Sequence, residues 1–170
     1  MSQLIAKMHV TLPPFEAGFS PEFHFSPLVF LLKGMVEVNR HHIRKANERA
    51  TMGLGVPIPP LYASGVRYRE DPAGEENWRD CYGVLALGFG DCDNLVIWRV
   101  AELNEAGIAA EPVIKWQHLT REQSIAVGYP AEWVSEEGLW IVHCSVQMPD
   151  GTIEDVSKNL GMGGNVTSHV

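Results

Sequence analysis

Cys92 stands at a junction. A glycine-rich turn, "GFGD", ends at it, and the apolar-periodic segment "NLVIWRVAELNEAG" begins just after it. Asp91 is a favourable helix N-cap, which places Cys92 in the first turn of a helix. There the unpaired backbone N–H groups and the helix dipole favour an anion, and a thiolate is the nucleophilic form of cysteine. Asp91 and Asp93 act in the opposite sense, because nearby negative charge disfavours ionisation of a thiol. A nucleophilic Cys92 therefore needs a positive partner, and a histidine is the usual one.

The stretch "LWIVHCSVQMPDGTIEDVS" supplies it. Strand side chains alternate between faces, so Val142, Cys144, Val146 and Met148 form an apolar row and His143 lies on the opposite, more polar face. The turn fixes what His143 meets. A two-residue loop would pair Val146 with Asp155 and put the carboxylate on the apolar face. A three-residue loop, Pro149-Asp150-Gly151, pairs Ser145 with Asp155 and Cys144 with Val156, with glycine at the left-handed position. Only this second register keeps both faces consistent, and it sets Asp155 diagonally across from His143, within side-chain reach. A His–Asp pair alone is common on protein surfaces; Cys92 is what gives this pair a chemical meaning. The Cys92 backbone N–H is one oxyanion donor. Trp78, Tyr82 and Tyr68 precede the cysteine as candidates for a second donor or for substrate binding, and the sequence does not choose among them.

Cys81 and Cys144 read as buried small hydrophobes. A zinc site built from Cys81, Cys92, His143 and Cys144 is the weaker reading, because adjacent strand residues point to opposite faces. The reading therefore includes no metal and no cofactor.

The elements that must position these groups can be outlined. A short strand is expected over 4–11, a loop over 12–27, and a helix over 28–50 with Leu28, Leu31, Leu32, Met35, Val36, Ile43 and Ala46 at helical spacing. Residues 51–80, rich in Gly and Pro, read as a long connecting loop, in which Tyr62, Tyr68 and Trp78 face substrate or pin the loop to the body. Residues 92–106 read as a helix apolar over most of its circumference, hence buried, with Gly107 as its stop. Strands are expected over 109–117, 138–148 and 152–157; residues 120–136 are an ambiguous insertion broken at "GYP". The sum is an α+β domain over 1–170: an N-terminal strand and helix (1–50), the loop (51–80), a core (81–160) and a tail (161–170), with the buried helix packed on a mostly antiparallel sheet.

Bulk properties narrow the classes. A length of 170 residues fits one domain, and 45% hydrophobic content supports a core. A net charge of -8 argues against nucleic acid or an anionic membrane as partner. The basic run "RHHIRKANER" (40–49) reads as a solvated helix face. Three cysteines form no disulfide framework, and the start carries no signal-type apolar run, so a soluble, cytoplasmic protein with reduced thiols is expected.

At these residues the chain resembles a known family. "GDCDNLVIWRVAELNEAGIAAEPV" is similar to the cysteine motif of transglutaminase-like proteins, part of the papain-like cysteine protease superfamily, and "HCSVQMPDGTIEDVS" is similar to their histidine strand, hairpin and aspartate. The likeness covers roughly residues 81–160. It implies a transglutaminase-like fold with Cys92 as nucleophile, His143 as general base and acid, and Asp155 as the orienting carboxylate. It implies acyl transfer from an amide through a thioester, to water or to an amine, on a peptide or protein substrate and without a cofactor. "PLYASGVRY", "WRVAELNEAGI" and "NLGM" further resemble small proteins of this group from tailed phages and prophages, which implies action in the host cytoplasm or a place in the phage particle. The chain departs from the pattern at Asp93-Asn94, where Glu-Asp is frequent, at Val156, where proline often follows the aspartate, and at Cys144-Ser145, where Ala-Trp is common. Three readings follow: a cysteine hydrolase cutting peptide or isopeptide bonds, a transglutaminase using an amine acceptor, and a non-catalytic phage structural or assembly protein on the same fold.

Overall fold

A computed structural model describes residues 7–9, 21–71 and 77–162. Its centre is helix α3, Cys92–Glu105, in which Leu95, Val96, Ile97, Trp98, Val100 and Ala101 are fully buried. Burying such side chains contributes about 1.5–3 kcal/mol for each large one. A helix apolar all round needs cover on every side, and α3 has it. The long first helix α1, Pro21–Thr51, packs along one flank, and strand β6, Leu139–Gln147, along another.

Helix α1 buries Leu28, Leu32, Met35, Val36, Asn39, Ile43 and Ala46, one helical stripe. It begins seven residues before the expected start, with Pro27 inside it. The prolines of "FSPEFHFSP" read as loop punctuation, but the helix runs through Pro27, its seventh residue, and forgoes the N–H bond to the Phe23 carbonyl there. The basic run of α1 is largely paired. Arg40 and Arg44 both bind Glu105 at the end of α3, at 2.9 and 3.0 Å, and His42 meets Asp80 at 3.1 Å.

After β1 (Lys7–His9) and α1, the connecting region is less bare than its composition suggested. It holds a 3₁₀ turn (Leu61–Ala63), β2 (Arg67–Tyr68) and β3 (Asn77–Arg79), the last pairing antiparallel with β1. A helix that the sequence reading missed follows, α2 (Cys81–Leu87). Asp80 caps it by accepting from the Gly83 N–H at 2.8 Å, and Gly88, at φ 76°, closes it. At seven residues it is too short for periodicity to reveal. Strand β4, Phe89–Gly90, then pairs in parallel with β2 and leads straight into α3.

Strand β5, Glu111–Leu119, pairs antiparallel with β6 along its whole length, from Glu111 opposite Gln147 to Leu119 opposite Leu139. Between them lie helix α4 (Arg121–Ala126), opened by a Thr120–Gln123 capping box, and a second 3₁₀ turn at Ala131–Trp133. This resolves the ambiguous insertion. Strand β7 is only Ile153–Glu154, and helix α5, Val156–Asn159, replaces the rest of the strand expected over 152–157. The architecture is mixed α+β with a small antiparallel sheet, β5-β6-β7. Among the described residues no helix is long and apolar enough to cross a membrane. The expected strand ends at 4–6 and 10–11, most of the 12–27 loop and the tail beyond 162 lie outside the described residues.

Candidate active site

The hairpin adopts the three-residue register. Gln147 pairs with Ile153 and Val146 with Glu154, and Gly151 takes φ 84° in the turn. Continued by one residue, this register sets Asp155 beside Ser145. The ladder stops there because the Asp155 carboxylate turns to cap α5, accepting from the Lys158 N–H at 3.1 Å. The same oxygen, Oδ1, lies 3.2 Å from His143 Nε2. This contact is an ion pair rather than an aligned hydrogen bond, since Nε2 makes no hydrogen bond of good angle. With Nε2 turned to Asp155, Nδ1 is the ring nitrogen left for the thiol.

Cys92 is the first residue of α3, with Asp91 as N-cap accepting from the Asn94 N–H. Its side chain lies beside both His143 and Cys144, near enough for each to shift its ionisation. Consecutive strand residues point to opposite faces, so a group that meets both lies along the strand's edge. That edge of β6 is open because the pairing with β7 ends at Val146. The start of α3 itself is fixed by buried Asn94. Its Oδ1 accepts from the Arg79 N–H, and its Nδ2 donates to the Asn77 carbonyl at 3.2 Å and to Asp91. Gly90 permits this approach: a β-carbon there would sit 3.0 Å from that of Asn94.

The electrostatics favour an ion pair. The Cys92 thiol is brought down from 9.0 to about 6, first by the hydrogen bond from Cys144 and then by His143, against burial and the negative charge of Asp91. His143 is held above its ordinary value, first by its hydrogen bond to Cys92 and then by the charges of Cys92 and Asp155, against burial. Asp91 is itself pushed up, mainly by burial and also by the charge of Asp71. Cys144 is pushed well up by its bond to Cys92 and by burial, so it remains a protonated donor. Cys144 is buried in the apolar row, as expected of a small hydrophobe; its influence on Cys92 was not part of that reading.

The other candidates separate. Tyr68 lies beside the thiol. Its strand pairs with Gly90, two residues before Cys92, and burial and the charge of Cys92 both raise its phenol. Trp78 is 3% exposed and its indole N–H is buried with no partner, which leaves one donor unspent near the α3 entry. The Tyr82 ring meets His42 of α1 edge-on at 5.0 Å. Tyr62 anchors rather than faces substrate: its hydroxyl donates to Glu154, accepts from Asn159 at 3.1 Å, and its ring lies under Arg99. Arg99 also binds Glu154 at 3.0 Å, so the residue preceding Asp155 is held from two sides.

A second His–Asp pair, His42 and Asp80, adjoins Cys81 in sequence. Cys81 is fully buried, and burial pushes its thiol up to about 12, so no nucleophile serves that pair. Among the described residues no group of three or more His, Cys, Asp or Glu side chains is arranged to hold a metal ion. No protein-family model matches the chain, and neither does any curated protein or solved structure.

Proposed function

We propose that the chain is a cysteine acyl-transfer enzyme of the transglutaminase-like, papain-like kind, hydrolysing peptide or isopeptide amide bonds through a thioester. The observation that carries this reading is the thiol of Cys92 at the start of a buried helix, beside His143, which in turn has Asp155 at 3.2 Å. Cys92 and His143 are shifted toward thiolate and imidazolium, the resting state such catalysis starts from.

In this mechanism the Cys92 thiolate adds to the substrate carbonyl carbon. The oxyanion is met by the Cys92 backbone N–H, which has no intrahelical carbonyl to bond. The unspent indole N–H of Trp78 and the phenol of Tyr68 are the available second donors. Collapse breaks the C–N bond, and His143 gives its proton to the departing amine. Water then adds to the thioester, losing a proton to His143, and the Cys92 sulfur leaves. Asp155 holds the imidazole in orientation and supports its charged form. The substrate is a peptide or protein, and the small phage proteins that the chain resembles make a host or particle protein the setting. The lowered thiol value of Cys92 also favours catalysis over a purely structural role, which has no use for it.

The test is turnover of an activated ester, p-nitrophenyl acetate, with intact-mass analysis. An acetyl group on Cys92, with turnover lost in Cys92→Ala, is expected. Equal release by Cys92→Ala, or acetyl found elsewhere, overturns the reading. Incorporation of a labelled amine into casein, set against cleavage of casein, separates transamidation from hydrolysis.

A further inference from the structure

Cys144 exchanges no bond or proton with the substrate in acyl transfer, yet its thiol lies beside the nucleophile. It sits in a core row whose other members, Val142, Val146 and Met148, are plain hydrophobes. Packing alone would be met there by a valine or alanine. Instead the chain places a second cysteine, 3% exposed, in the core cluster against which the partly buried Cys92 packs, close enough for the two thiols to shift one another. Cys92 is less buried than Cys144 and is the thiol shifted toward its anion, so a small oxidant reacts with Cys92 first. Cys81, the third thiol, is fully buried under α1, with its backbone N–H tied to Asn39 at 2.8 Å.

We propose that Cys144 is a resolving thiol: a peroxide oxidises Cys92 to a sulfenic acid, and Cys144 closes a Cys92–Cys144 disulfide that reversibly silences the nucleophile. In the first step the Cys92 thiolate attacks one peroxide oxygen, the O–O bond breaks, and hydroxide leaves; sulfur loses two electrons and the peroxide gains them. In the second, the Cys144 sulfur attacks the Cys92 sulfur, the S–O bond breaks, and the departing hydroxide leaves as water with the Cys144 proton. An external thiol restores both cysteines by exchange, supplying two electrons.

The arrangement has its own timing. The bond to the Cys92 thiolate is the first reason that Cys144 stays protonated. Once Cys92 has become a neutral sulfenic acid, that reason is gone and Cys144 ionises more readily. The second thiol is thus held inert until the first is oxidised. The inference rests on the activated thiol of the proposed function but not on its acyl chemistry.

The experiment treats the purified full chain with limiting hydrogen peroxide, blocks free thiols with N-ethylmaleimide, and maps peptides without reduction. Trypsin leaves Cys81 and Cys92 on one peptide, residues 80–99, so chymotrypsin is added to part them. The expected result is a linked Cys92–Cys144 peptide, an intact mass lower by two hydrogens, and loss of Cys92 alkylation that dithiothreitol restores almost fully. In Cys144→Ser the same dose should instead add two or three oxygens to Cys92, with no recovery. Oxygens on wild-type Cys92 without a linked peptide, or a link that uses Cys81, overturn the proposal. The wild-type map decides the matter alone if Cys144→Ser does not fold. Ester turnover without the disulfide removes this inference only; the disulfide without turnover removes the acyl reading only.

Discussion

Replacing Cys144 by alanine probes the first cause of the low thiol value. Cys92 stands well below its ordinary 9.0, at about 6, so its neighbours favour the thiolate. Hydrogen bonds to charged groups contribute about 1.5–3 kcal/mol, and a thiol is a weak donor, so the low end applies. Losing about 1.5 kcal/mol raises the midpoint by about one unit, from about 6 to about 7. The measurement is the rate of Cys92 alkylation by iodoacetamide against pH, followed by peptide mass. Cys144→Ser keeps a donor, and a better one, so its midpoint should remain near the wild-type value of about 6. A midpoint that does not move in Cys144→Ala refutes the reasoning. So does an equal rise in both variants, which would trace the effect to packing rather than to the donated proton.

Asp155→Asn keeps the α5 cap but removes the charge that supports imidazolium, so the alkaline limb of ester turnover should move to lower pH, with little change in the denaturation midpoint; Asp155→Ala should show the same limb and also lose about 1 kcal/mol of stability with the cap. Stability should itself depend on pH through the pair. The Cys92 contribution is fully present above its unfolded value near 9.0 and is lost as pH falls through about 6, whereas the His143 contribution is present below 6.5 and is lost as pH rises through its raised folded value. Urea titrations of wild type and Cys92→Ala across that range check the first sign. Asn94→Ala should cost about 2–4 kcal/mol in urea unfolding, because it strips the partner from a backbone donor and an acceptor at the α3 entry. Gly138→Ala should be worse tolerated than Gly128→Ala by thermal melting, since a β-carbon at Gly138 would lie 2.1 Å from the Leu119 carbonyl oxygen, while the space at Gly128 is open.

The residues that speak through pattern were legible. Helix α3 announced itself by Asp91 at its cap and Gly107 at its stop, and it runs where expected, to within a residue. The hairpin register followed from "PDG" and the two faces of β6, and the pairing of Val146 with Glu154 agrees with it. Short elements were less legible. Helix α2 carried end signals, Asp80 and Gly88, around a body too brief to show a period. Helix α5 was hidden because a capping aspartate and a strand aspartate look alike until the chain bends. The surroundings of Tyr82 and Cys144 were not legible for a different reason: what a side chain meets depends on which neighbouring element covers it, and α1 and α3 lie far from them in sequence.

The double duty of Asp155 has a dynamic consequence. One carboxylate oxygen both starts α5 and faces His143, and α5 is a single turn, held at its far end by the Tyr68 N–H donating to the Leu160 carbonyl at 3.0 Å. Such a turn belongs to the low-stability end of a fold, where segments open without global unfolding. Each opening of residues 155–160 would detach the carboxylate from the imidazole and free Tyr68, leaving Cys92 in a half-assembled site. Amide exchange at Lys158 and Leu160 would then report how often the site is whole, and a ligand that slows that exchange would be sensing the closed form from the far end of the chain.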